Sequence, residues 1–89
     1  MNVYVISLED NLPSEGNFDV MGVYVSVEKA RSNLREDYEE MVKECDAGTF
    51  VSNYFKEHTD EVGDDYWIIR SNVDESIYMS EAIGEFTLE

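Results

Sequence analysis

The sequence predicts an α+β domain: an antiparallel sheet of about four strands with one long helix packed on one face, in the order β-β-α-(short α)-β-β. Three observations predict it. Runs rich in β-branched and aromatic residues are separated by turn formers. A single apolar stripe at helical spacing occupies the middle of the chain. A second pair of strand-like runs then closes it, and a helix laid across an antiparallel sheet satisfies that order. Eighty-nine residues leave room for one core and therefore one domain, 1–89.

Val3-Tyr4-Val5-Ile6-Ser7-Leu8 reads as the first strand, with apolar residues at both parities, which suggests that both faces are covered. Residues 9–17 hold Asn11, Pro13, Ser14, Gly16 and Asn17 and read as a loop. Residues 18–25 form a second strand in which the internal Gly22 marks a bulge or a close backbone approach. The two strands make a hairpin with a long connection.

Ser26 is placed to cap a helix, with Glu28 in the first turn where the helix dipole favours negative charge. Val27, Ala30, Leu34, Tyr38, Met41 and Cys45 follow at steps of three and four, a stripe about five turns long. Gly48 is a natural stop. Residues 49–58, Thr-Phe-Val-Ser-Asn-Tyr-Phe-Lys-Glu-His, fit a short helix capped by Thr49, although their β-propensity argues for a strand. Residues 59–65 read as an acidic loop around Gly63 and residues 66–71 as a strand. After a turn at 72–75, one strand begins at Ser76-Ile77-Tyr78-Met79, and residues 83–88 end in alternating character.

Charge dominates the composition, with 21 acids against six Lys and Arg and a net charge of -15. Disordered acidic tails lack the aromatic and aliphatic residues that this chain has, so it reads as folded. The sign argues against direct binding to nucleic acid or anionic lipid, both of which need cations to displace counterions. The chain shows neither a membrane-length apolar run nor a signal-peptide pattern. The single Cys45 excludes an internal disulfide and reads as a small buried apolar residue, which fits the cytoplasm.

No constellation points to catalysis, a metal or a cofactor. His58 is the only histidine and reads as a solvent-facing residue at a helix end, remote from any nucleophile motif. Zinc needs about four Cys or His ligands and the chain has two. Asp60-Glu61-Val62-Gly63-Asp64-Asp65 lacks the ligand spacing of a calcium loop, and no glycine run cradles phosphate. An enzyme is not expected.

The expected function rests on the pattern of acids. Their densest groups are Glu36, Asp37, Glu39, Glu40 and Glu44 on the helix, and Glu57, Asp60, Glu61, Asp64 and Asp65 in the acidic loop. Solubility alone calls for a net charge of roughly 2 to 8 in a small domain. The expected partner is a basic protein surface of the kind that binds nucleic acid; Tyr54, Tyr66 and Trp67 could anchor its margin, although their pattern favours core or sheet-packing roles. The alternative is a small interaction module, a homodimer through an uncovered sheet face, whose acidity serves solubility.

Residues 3–45 resemble short proteins of phages and mobile elements. In these a strand such as Val3-Tyr4-Val5-Ile6-Ser7 and a loop precede a second strand that runs into a helix, here Gly22-Val23-Tyr24-Val25-Ser26-Val27-Glu28-Lys29-Ala30. The chain is similar in general character to DNA-mimicking and anti-CRISPR inhibitors of host defence. That resemblance implies a non-catalytic inhibitor in the host cytoplasm whose partner is a nucleic-acid-binding protein or defence nuclease. It carries no binding residue over.

Overall fold

In a computed structural model, described for residues 1–12, 16–47 and 52–88, the order is β1 (Asn2–Asn11), β2 (Gly16–Tyr24), α1 (Val27–Ala47), α2 (Ser52–Phe55), β3 (His58–Val62), β4 (Tyr66–Ser71) and β5 (Tyr78–Thr87). One antiparallel sheet has the order β2-β1-β5-β4-β3, so the first and last strands are central neighbours. The α+β expectation holds, with five strands in place of about four.

The hairpin of β1 and β2 pairs from Tyr4↔Tyr24 to Asn11↔Gly16, and both strands run well into the span expected to be a loop. Gly22 has the role expected of it. The register shifts between Ile6 and Ser7, leaving Met21 as the extra residue of a bulge, and a Cβ at Gly22 would meet the Tyr24 hydroxyl at 2.7 Å. The expected turn residues Pro13 and Ser14, the stop at Gly48, the cap at Thr49 and the short-helix residues Phe50 and Val51 lie outside the described residues.

The start of α1 follows from Ser26. Its Oγ accepts from the Lys29 backbone N–H at 3.3 Å and its carbonyl accepts the first helical bond from Ala30. The expected stripe is the buried one. Ala30, Leu34 and Cys45 are fully covered, and Tyr38 and Met41 pack against the core beside Val42.

Strand alternation decides what that stripe meets. Ile6 and Leu8 of β1, Met79, Glu81 and Ile83 of β5, and Trp67 and Ile69 of β4 share one face through the pairs Ile6↔Ile83, Leu8↔Glu81, Trp67↔Glu81 and Ile69↔Met79. Phe55 of α2 closes the core at one end, and Tyr38 packs on Trp67 with the rings tilted by 52° and their centroids 5.9 Å apart. Ile69 is wholly inaccessible. Ile69→Ala is expected to cost about 2–5 kcal/mol, read as a lower urea midpoint with an unchanged slope.

Two expectations need correction. Residues 58–62 are a strand, not the start of an acidic loop, because β3 is an edge strand and its His-Thr-Asp-Glu-Val pattern is the charged composition that edges tolerate. The final strand is the expected one, β5, with Glu81 at an inward position. The second face of β1 has no described helix over it, as α1 and α2 lie on the other side of the sheet; of its residues Val3 is buried and Val5 half-buried.

Candidate functional site

The two acidic groups picked out in the sequence lie next to each other. Arg31 Nε of α1 donates to Asp65 Oδ1 at 2.7 Å in the β3–β4 turn, and Tyr38 donates to Asp60 Oδ2 at 2.6 Å. Asp46 Oδ1 lies 3.5 Å from His58 Nε2 at the start of β3. From Arg31 to Asp46 a helix rises about 22 Å, and the residues those two meet, Asp65 and His58, stand at the β3–β4 turn and at the start of β3. Helix and strand therefore run side by side in opposite directions along one edge of the molecule.

Steps of 100° around α1 place the helix acids. Glu39 lies on the flank toward β3, Glu36 faces outward, and Glu40 and Glu44 continue around the far side, an arc of about 140°. Glu36, Glu39, Glu40, Glu57, Glu61, Asp64 and Asp65 are exposed, whereas Asp37, Glu44 and Asp60 are half-buried. Lys43 and Arg35 interrupt the display on α1, and residues 57–65 contain no Lys or Arg. Asp65 is engaged by Arg31, and Glu61 accepts from the Tyr66 hydroxyl at 3.0 Å.

Two of the expected interface acids serve the interior instead. Asp60 accepts from Tyr38 and sits 2.5 Å from His58 Nδ1. His58 is thus not the solvent-facing helix end expected of it but a partly buried link between Asp46 and Asp60. Burial alone would lower its pKa, but the Asp60 and Asp46 carboxylates outweigh that and raise it above 6.5. The Tyr38 hydroxyl, held by Asp60 and partly desolvated, is pushed up to about 12. Tyr38→Phe is expected to cost about 1–2 kcal/mol. It should also move the His58 ring titration, followed by NMR, to higher pH, because Asp60 then neutralises His58 alone.

Asp37 turns toward a group that sequence reasoning missed. Glu81 on the central strand β5 is 2% exposed, beneath α1 and between Leu8 and Trp67. Burial first, and the adjacent Asp37 carboxylate second, push its carboxyl up to about 8. The Trp67 indole opposes that rise only weakly, as neither Trp67 Nε1 nor Glu81 Oε1 completes a hydrogen bond. Protonated, Glu81 supplies the hydrogen that lets the two carboxyls share a site. The available signal was parity, since Met79-Ser80-Glu81-Ala82-Ile83 puts Glu81 at an inward position of an alternating run.

Of the expected aromatic anchors, Trp67 is core, Tyr54 is half-buried against the core and Tyr66 is 40% exposed. Cys45 is fully buried as expected, and burial, aided by nearby carboxylates, pushes its thiol up to about 11, so at neutral pH it is a protonated packing group. A cavity of about 80 Å³ between α1 and the β3–β4 turn is lined by Arg31, Arg35, Tyr38 and Trp67 among others, well below the 300–1,000 Å³ of a metabolite site. An open hollow of about 400 Å³ lies along Thr59, Arg70 and Asn72. Among the described residues no group of three or more His, Cys, Asp or Glu is arranged to hold a metal ion, and no helix is long and apolar enough to cross a membrane. No family model, curated protein or solved structure matches the chain.

Proposed function

We propose that the protein is a non-catalytic binding module that presents the outer face of α1 and the β3 edge to a basic, nucleic-acid-binding surface of another protein. One observation carries the reading: the contacts Arg31–Asp65, Tyr38–Asp60 and His58–Asp46 lay the two acid-rich segments side by side. They form a ridge about 22 Å long. Duplex DNA carries about 13 phosphate charges over that length of axis, and proteins that bind it meet them with rows of Lys and Arg. The ridge offers such a row Glu36, Glu39 and Glu40 on the helix, Glu61 on the strand, and Glu57 and Asp64 in the bends that flank the strand. A host nucleic-acid-binding protein or defence nuclease is the partner class this fits. The site of action would then be the host cytoplasm.

Affinity capture from a bacterial lysate at low and high salt tests the proposal. Retention of nucleic-acid-binding proteins at low salt, their release at high salt and their displacement by added duplex DNA are expected. Retention that salt and DNA leave unchanged would contradict it.

A further inference from the structure

On the sheet face turned away from α1, two successive rows across β2, β1 and β5 carry no charge. These rows follow from the strand register. Val23, Val5 and Gly84 lie across β2, β1 and β5, and Val20, Ser7, Ala82 and Tyr66 form the next row. Phe18 stands opposite Glu9, and Val3 opposite Phe86. Phe86 leans along the sheet over Gly84, where a Cβ would meet its ring at 3.1 Å. Phe18 is 72%, Val20 53%, Val23 61% and Phe86 56% exposed, and Val25 just beyond β2 is 73% exposed. Five side chains of about 100 Å² each make a patch on the order of 500 Å², at the upper end of what a monomer shows.

On this face Glu9 stands at the margin of the patch, directly opposite Phe18, and Glu61 lies out on β3. Each accepts a tyrosine hydroxyl, Glu9 from Tyr78 and Glu61 from Tyr66. Every residue in the rows of Val23 and Val20 is uncharged, in a chain whose 89 residues include 21 acids. A basic partner has nothing to meet there.

We propose that a second copy of this chain covers the β2–β1–β5 face, forming a two-fold dimer with the helices outermost. Charge placement selects this occupant. Two molecules of net charge -15 repel at almost any contact. Packing these faces together, about 10 Å apart, sets the two α1 ridges roughly 30 Å from each other. That is three to four Debye lengths at physiological salt, so the repulsion is largely screened. Two such patches bury on the order of 1,000 Å², the threshold of a specific interface. The α1 acids remain free on the two outer surfaces and β3 lies outside the β2–β1–β5 contact, so the dimer goes beyond the proposed partner binding and stands or falls separately from it.

Salt separates the two. Self-association tightens as salt rises, whereas capture of a basic partner weakens. Sedimentation equilibrium of the full chain at about 0.1 M and about 1 M salt is expected to show a species of twice 10.3 kDa that strengthens at the higher salt. Val20→Glu with Val23→Glu should give a folded monomer, and Val20→Thr with Val23→Thr, which keeps net charge and strand propensity, should weaken the dimer at least about tenfold. In the unmodified protein, a soluble paramagnetic probe should broaden the Val20 and Val23 methyls on dilution and spare them when concentrated. A 10.3 kDa species at every concentration and salt, methyls equally exposed throughout, or a dimer untouched by both double substitutions would overturn the proposal.

Discussion

Glu81→Gln is expected to stabilise the protein progressively as pH rises. The folded chain holds the Glu81 proton up to about 8, whereas the model carboxyl releases it near 4.5. A folded-state pKa raised in this way leaves stability intact below about 4.5 and erodes it as pH climbs through about 8. His58 has the same sign, since its pKa lies above 6.5 in the fold and its contribution fades as pH rises past it. Titration of the many exposed acids adds to the trend through self-repulsion. Wild type should therefore be most stable in mild acid. Glutamine keeps the shape of protonated glutamate and still donates to Asp37, so near pH 5 the two proteins should agree within about 1 kcal/mol. Near pH 9 the variant should lead by at least about 2 kcal/mol, a rise of roughly 10 °C in Tm. Parallel pH profiles for the two proteins would mean that Glu81 is ionised in the fold.

Reversing Glu39, Glu40 and Glu44 to Lys should weaken partner capture by at least about tenfold and flatten its salt dependence, with little loss of fold. Glu39 and Glu40 are exposed and Glu44 is half-buried, and none belongs to the hydrophobic core. The change reverses charge across the helix arc while leaving Asp37, Asp60 and the apolar stripe in place. Isothermal titration against a captured partner at several salt concentrations reads both effects. Undiminished affinity would remove α1 from the binding surface.

Much of the fold was legible because local signals agreed. The stripe from Val27 to Cys45, the cap at Ser26, the strand at 66–71 and the glycine of the β2 bulge each followed from periodicity, capping or backbone space. The misses share a physical cause, which is that polarity was taken as exposure or irregularity. Strand β3 looked like a loop because an unpaired edge favours charge, and Glu81 went unnoticed because it is buried where an apolar residue would ordinarily sit. The ridge was half legible. Composition picked out Glu36 to Glu44 and Glu57 to Asp65, but only the tertiary contacts of Arg31, Tyr38 and His58 bring the two segments together. Those same contacts withdraw Asp60 into the interior, as Glu81 does Asp37. Single-residue patterns contain none of this pairing, because it joins positions 12 to 44 residues apart.

The account's central claim is that the ridge occupies a basic groove otherwise used by nucleic acid. Competition on one captured partner tests it most directly: fluorescent duplex DNA is bound to the partner, and the protein is titrated in at several salt concentrations. Mutual exclusion is expected, with DNA released as the protein binds and with protein affinity falling steeply as salt rises. A ternary complex in which the protein binds without displacing DNA, at an affinity that salt does not change, would contradict it.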